Sequence, residues 1–292
     1  MKLIGDIAAS IGTSTCQPFE LAEQREAGGG CINRALILRG KDRRRFFVKV
    51  NAARHTDMFA AEAAGLAELD TAAAIQVPRP IAQGTSEEWA YLVLEWLDID
   101  GRGNGAKLGR QLAQLHRTTS NHFGWHRDNT IGSTPQVNFP ATDWIDFFGE
   151  RRLGYQLRLA ERNGAPRRLL ANGERLVSRL GDFFAGYHPA PSLLHGDLWG
   201  GNHGYVDGQP VLFDPAVYFG DREADLAMTE LFGGFSADFH AAYREAWPLD
   251  PGFDVRKHLY NLYHVLNHFN LFGGGYAGQA QSMTERLLAE SR

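Results

Sequence analysis

Cysteine is nearly absent, with Cys16 and Cys31 the only two in 292 residues. Two thiols build neither a disulfide framework nor a four-sulfur metal site, so a reducing compartment is expected. Long apolar runs are missing as well. No stretch reaches the roughly 20 residues that a membrane-spanning helix needs, and Met1 to Ser10 has neither the apolar core nor the cleavage site of a secretory signal. These absences predict a cytoplasmic protein with no membrane partner. Charge of one sign is scarce too: 30 Lys and Arg stand against 34 Asp and Glu, a net charge of −4. Phosphate-backbone binders carry a basic surplus, so nucleic acid is not an expected partner. Internal repeats and low-complexity tracts are also lacking, which excludes solenoids and linkers. What remains, 43% hydrophobic and 22% charged residues, is the composition of a folded globular protein.

The stretch richest in chemistry is Leu194-His195-Gly196-Asp197-Leu198-Trp199-Gly200-Gly201-Asn202, followed by the apolar run Val211-Leu212-Phe213 and Asp214. Asp197 precedes Asn202 by five positions and Asp214 comes twelve after Asn202. That is the order of the catalytic-loop Asp, the metal-binding Asn and the second metal-binding Asp in kinases. Phosphoryl transfer needs one carboxylate to accept the proton of an attacking hydroxyl, and further oxygen ligands to hold Mg²⁺ against the phosphates. Asp197 is therefore expected to be the base, and Asn202 and Asp214 the metal ligands.

Upstream residues complete a nucleotide site. Gly28, Gly29, Gly30, Cys31, Ile32 and Asn33 form a turn whose backbone amides can approach phosphate oxygens without a Cβ in the way. It feeds a hairpin made of residues 35–38 and 45–50. Lys49 lies within the apolar second strand, and the next helical stretch offers Glu62, with Glu68 as a rival about 120° round the helix. Glu62, nearer the middle of the helix, is the expected partner that holds Lys49 against the phosphates. The strand Tyr91–Leu97 runs into a connector, so Glu95, Trp96 and Leu97 are expected to meet an adenine edge.

Residues 1–24 read as a short helical lead-in, and the lobe boundary falls after Leu97. Beyond it, Leu108, Leu112 and Leu115 recur at helical spacing, with further helices expected over 142–162, 166–186, 222–232, 236–247, 255–271 and 277–290. The predicted fold class is α+β, with a strand-rich small lobe and a helical large lobe. Residues 1–97 form a small antiparallel-sheet lobe with one main helix that binds nucleotide, and residues 98–292 a larger, mostly helical lobe for catalysis and acceptor binding.

Other residues near Asp197 have supporting roles. His195 anchors the loop, since Asp197 already occupies the base position. Asp225, in Arg222-Glu223-Ala224-Asp225, can accept backbone amides of the catalytic loop. Gly196 replaces the arginine of many protein kinases, and no Ala-Pro-Glu segment follows, which together favour a small-molecule acceptor. Trp199, two residues after the base, is placed to wall the acceptor site. Cys31 sits in the phosphate turn, where its oxidation, by a disulfide to a second chain, is expected to switch off nucleotide binding. His264 and His268 share a helix face, but no His-Glu-x-x-His motif frames them, so they are expected to pack rather than bind zinc.

Several blocks together resemble the fructosamine kinase (ketosamine 3-kinase) family: Gly29-Gly30-Cys31-Ile32-Asn33, Phe47-Val48-Lys49-Val50, Leu194-His195-Gly196-Asp197-Leu198-Trp199, Phe213-Asp214-Pro215-Ala216 and Arg222-Glu223-Ala224-Asp225-Leu226-Ala227. Phe123-Gly124-Trp125 and Pro135-Gln136-Val137-Asn138 extend the match, which runs from about residue 10 to the end. The resemblance implies a protein-kinase-like two-lobe fold, ATP and Mg²⁺ as cofactors and transfer of the γ-phosphate to the 3-hydroxyl of a sugar joined to an amine. The phosphorylated adduct then breaks down, which repairs glycated amines. The implied partners are small ketosamines or glycated protein lysines, handled by a monomer or a homodimer. A kinase of another small alcohol, such as an aminoglycoside or choline, would use the same Asp197. A nucleotide-binding module without catalysis is the remaining alternative.

Overall fold

The computed structural model describes residues 2–28 and 32–291, so Gly29, Gly30 and Cys31 of the expected phosphate turn lie outside the described residues. The chain divides into two compact units, Met1–Gly103 with Gly204–Asp214, and Asn104–His203 with Pro215–Arg292. Sequence alone puts one boundary after Leu97. The first unit runs on to Gly103 and regains the later segment because Leu212 N–H donates to the Gln76 carbonyl at 2.9 Å and Asp100 bridges to Tyr205.

The first unit begins with α1 (Lys2–Ser14), followed by β1 (Leu21–Ala27), β2 (Arg34–Gly40) and β3 (Arg45–Ala52). Then come α2 (Thr56–Thr71), β4 (Pro80–Ser86) and β5 (Trp89–Glu95). The strands form one sheet in the order β1-β2-β3-β5-β4, with every neighbouring pair antiparallel. The lead-in expected over residues 1–24 is corrected here: the helix stops at Ser14, and an edge strand takes residues 21–27. Pro18, with no N–H to donate, follows the break. β1 is exposed along nearly its whole length, so its sequence carries no period-2 alternation to reveal it. One face of the sheet closes on α1 through Ile7, Ile11, Leu36, Leu38, Phe46, Val48, Val50 and Val93. Successive strand residues point to opposite faces. Lys49, between Val48 and Val50, therefore projects from the other face.

The second unit opens with α3 (Gly105–His116), capped by the Asn104 side chain, which accepts the Lys107 N–H at 3.1 Å. A short hairpin of β6 (Asn129–Ile131) and β7 (Thr134–Gln136) follows. α4 (Trp144–Phe148) passes through a π-helical segment, Gly149–Gly154, into α5 (Tyr155–Arg162), and α6 (Arg167–Val177) comes next. β8 (Ser192–Leu194) leads to the Asp197 loop. The chain then makes the two-stranded sheet of β9 (His203–Val206) and β10 (Gln209–Leu212) and returns as β11 (Tyr218–Gly220), antiparallel to β8. The remainder is helical: α7 (Glu223–Leu231), α8 (Ala237–Ala246), α9 (Phe253–Phe272) and α10 (Tyr276–Glu290). α3 and α8 touch backbone to backbone at Gly109, where an added Cβ would lie 2.3 Å from the Phe239 carbonyl oxygen. Among the described residues no helix is long and apolar enough to cross a membrane.

Candidate active site

In the first unit the site is built around Lys49. Its ammonium donates to Glu62 Oε1 at 2.5 Å and to Asp214 Oδ1 at 2.7 Å. Lys49 is buried and the Glu62 side chain is only 11% exposed, whereas the Asp214 side chain is 48% exposed. Burial alone would lower the Lys49 ammonium, but the carboxylates of Glu62 and Asp214 outweigh it and hold the group above its ordinary value. Burial pushes the Glu62 carboxyl up, against the pull of Lys49. Asp214 adopts φ +56°, a left-handed conformation that Asp tolerates better than most residues. Its neighbour Val211 bridges to Gln76, so the end of the β9–β10 hairpin and the sheet residue Lys49 belong to one body.

The described part of the expected phosphate turn is anchored from β3. Asn51 Nδ2 donates to the Ile32 carbonyl at 3.2 Å and to Asn33 Oδ1 at 2.8 Å. Gly28 faces open space. At the other end of the sheet Glu95 closes β5 and pairs with Arg79 at 2.8 Å, while Trp96 Nε1 donates to Asp98 at 2.9 Å. Arg45 pairs with Asp98 and lies over the Trp96 ring. The Glu95 and Trp96 side chains are thus occupied by ionic and ring contacts, and the Leu97 carbonyl accepts the Ile99 N–H at 2.9 Å.

In the second unit the chain leaves β8 and turns sharply. The His195 and Gly196 amides donate to Asp225 Oδ2 and Oδ1 at 2.7 and 2.9 Å, and the Ala216 amide donates to the His195 carbonyl at 2.8 Å. Asp197 N–H points at His195 Nδ1 at 3.3 Å, and Asn202 Nδ2 donates to the Asp197 carbonyl at 2.9 Å and its Oδ2 at 3.2 Å. The five-residue spacing therefore folds the carboxamide back onto the carboxylate. The same Asn202 side chain also carries an amide oxygen, which can only accept hydrogen bonds or ligate a cation. Asn202 and Asp214 both carry the oxygen chemistry that hard divalent cations require.

Gly196 has a steric reason to be glycine beyond the choice of acceptor. Its φ is +81°, and an added Cβ would sit 2.0 Å from the Ala216 carbonyl oxygen. We expect Gly196→Ala to lower stability by at least about 2 kcal/mol and to cut turnover. Chemical denaturation and steady-state rates measured together would check this, and a fully stable, fully active variant would contradict it. Trp199 is 41% exposed, and its ring lies over Gly201, where a Cβ would fall 2.2 Å from it. Beside it Gly200 packs against Gly233 and Gly234.

His264 and His268 are occupied by packing. His264 is buried beside the Tyr263 ring, its imidazole lowered to about 3 by burial, and His268 Nδ1 lies 2.8 Å from the His264 carbonyl. Two features of the second unit have no local sequence signal. One is His116, a polar residue closing the amphipathic α3, which reaches Asp225 from 109 residues away. The other is Arg152, fully buried over the rings of Phe147 and Tyr218 and donating to the Val137 carbonyl and Asn138 Oδ1 at 2.7 Å each. Asn138 and Gln136 both donate to Asn129, and Asn129 and Gln136 donate in turn to the Val217 and Ala216 carbonyls. The segment that follows Asp214 is thereby tied down.

Comparison with known proteins points one way. The sequence model of the fructosamine kinase family matches residues 3–290. A protein named as a probable ketoamine kinase from Synechocystis is 50% identical over 288 residues, covering 97% of this chain and 96% of that protein. A chloroplastic protein-ribulosamine 3-kinase from Arabidopsis thaliana is 44% identical, with 89% and 81% covered. A crystal structure of a fructosamine-3-kinase candidate from Haemophilus somnus superposes with a TM-score of 0.89 at 29% identity, covering 97% of this chain and 96% of that one. Aminoglycoside phosphotransferases share the protein-kinase-like α+β fold at low identity.

Proposed function

Because the chain belongs to the fructosamine kinase family, we propose that it transfers the γ-phosphate of ATP to the 3-hydroxyl of the sugar in a ketosamine. Asp197 accepts the proton of that hydroxyl as the oxygen attacks phosphorus, and ADP leaves. Lys49, held by Glu62, meets the phosphates, and Gly28 and Asn33 are the described residues of the turn assigned to the same task. The backbone from Glu95 to Leu97 receives the adenine. Asn202 and Asp214 are the residues that would hold Mg²⁺, which when bound neutralises phosphate charge. Trp199 offers an aromatic surface to the acceptor. The first unit is then the nucleotide-binding lobe and the second the catalytic and acceptor-binding lobe.

The observation that carries this reading is the Asp197 loop. Its carboxylate is oriented by Asn202, and the backbone entering it is clamped through two amides by Asp225. Such pre-organisation suits a group that must meet a substrate proton in one geometry. The names of the relatives support a ketosamine as the acceptor, whether free or on a protein lysine. The test is mass spectrometry of fructosamine, ribulosamine and erythrulosamine adducts incubated with ATP and Mg²⁺. A gain of one phosphate on a ketosamine is expected. Phosphorylation of choline or an aminoglycoside with no ketosamine modified would reject the acceptor.

A further inference from the structure

His116 is fully buried at the end of α3, and the proposed chemistry gives it no task, yet both its ring nitrogens are engaged. Nδ1 lies 2.8 Å from the Tyr243 hydroxyl and Nε2 lies 3.2 Å from Asp225 Oδ2. The same Asp225 carboxylate receives the amides of His195 and Gly196, the two residues before Asp197. On the far side, Arg222 Nη1 lies 3.2 Å from the Tyr243 oxygen. Its guanidinium also donates to the Trp247 and Pro248 carbonyls and lies 4.1 Å from the centre of the Trp247 ring.

Counting protons gives this chain a direction. A guanidinium can only donate, so Arg222 gives a hydrogen bond to the Tyr243 oxygen, and the phenol proton is available to His116 Nδ1. Burial pushes the Tyr243 phenol well above its ordinary value, which keeps that proton in place. A ring that accepts at Nδ1 carries its own proton on Nε2, and Nε2–H donates to Asp225. The Asp225 carboxylate then receives three donors. Burial alone would raise it, but the hydrogen bond from His116 leads the interactions that hold it below the usual range. An apolar ring would fill the same volume between α3 and α8. Only a group with a donor at this end and an acceptor at the other completes the chain without an unpaired buried atom.

We propose that His116 is a positioning residue for phosphoryl transfer. It fixes the Asp225 carboxylate in the orientation that receives both loop amides, and so holds the backbone that delivers Asp197. The inference rests on the reading of Asp197 as the base.

Three full-length variants test it. His116→Gln places an amide nitrogen near the Nε2 position and keeps the donation to Asp225. His116→Phe and His116→Asn lose it, the first by chemistry and the second by length. In Phe and Asn, kcat with a ketosamine should fall by roughly tenfold or more while KM for ATP changes less than about threefold, and Gln should recover to within about threefold of the native enzyme. Hydrogen exchange supplies a readout that does not depend on turnover. The His195 and Gly196 amides should exchange faster in the Phe variant, with the amides of the β1–β5 sheet unchanged. Tyr243→Phe, which removes the proton given to Nδ1 together with the oxygen that accepts from Arg222, should loosen the same two amides if the Phe variant proves too unstable to study. Unchanged exchange at those amides, or a Gln variant as impaired as Phe, would overturn the proposal. Asp197→Asn assayed alongside separates the two readings: its full activity would remove the base assignment, whereas an inactive Asp197→Asn beside a fully active His116→Phe would remove only the role of His116.

Discussion

Asp197→Asn should lower kcat by about 10²–10⁴-fold, the range that a positioned general base contributes, with little change in ATP affinity or thermal stability. The substitution is nearly isosteric. Asn202 keeps its hydrogen bond to the Asp197 carbonyl, and the loop keeps its amide bonds to Asp225, because neither depends on the charge of residue 197. What is lost is an oxygen basic enough to take the proton of an attacking hydroxyl. Single-turnover measurement of ketosamine phosphorylation checks the chemical step, and a nucleotide-induced thermal shift checks binding. Undiminished turnover would mean that another group is the base.

Lys49→Met should have the second largest effect, acting on stability and nucleotide binding together. Lys49 is buried and Glu62 nearly so, and removing one partner of a buried pair leaves the other uncompensated, at a cost of about 3–5 kcal/mol. Part of that cost is avoided if Glu62 takes up a proton, which its burial already favours. The half-exposed Asp214 is screened by water and adds little. The expected signature is a lower unfolding midpoint and loss of the stabilisation that ATP gives the native enzyme. Glu62→Gln separates the two effects, since it keeps a hydrogen-bond acceptor for Lys49 and should retain part of the ATP-induced shift. If Lys49→Met were stabilised by ATP as much as the native chain, Lys49 would have no contact with the phosphates.

Both substitutions act on residues that one-dimensional patterns can single out. A lysine inside the apolar run Phe46 to Val50 is conspicuous because a buried cation needs a partner, and a carboxylate on the next helix is the economical one. The spacing of Asp197, Asn202 and Asp214 is equally visible, since it lies within one short stretch. Most helices are legible for a related reason. α8, α9 and α10 carry apolar residues at helical period, and their ends fall close to the expected limits. β1 and β4 are not legible in this way. β1 buries no side chain, and β4 begins at a proline and buries only Ser86, so neither shows the alternation that marks a half-buried strand.

Sequence by itself determines which chemical groups this protein brings to its site and in what order, because those groups lie on short segments with fixed spacing. It also determines that the chain is a small sheet unit followed by helices, because hydrophobic period is a local property. Tertiary structure alone decides how the groups are held. It adds Asp214 to the expected Glu62 as a partner of Lys49, makes glycine obligatory at 196 through the approach of the Ala216 carbonyl, and joins His116, Tyr243 and Asp225 into a single hydrogen-bond chain. Residues 109 and 127 positions from His116 in the sequence meet it only because α3 packs on α8 with Gly109 at the crossing and α7 enters beside them. Such contacts depend on the angle and distance between helices, and no local period in the sequence encodes either.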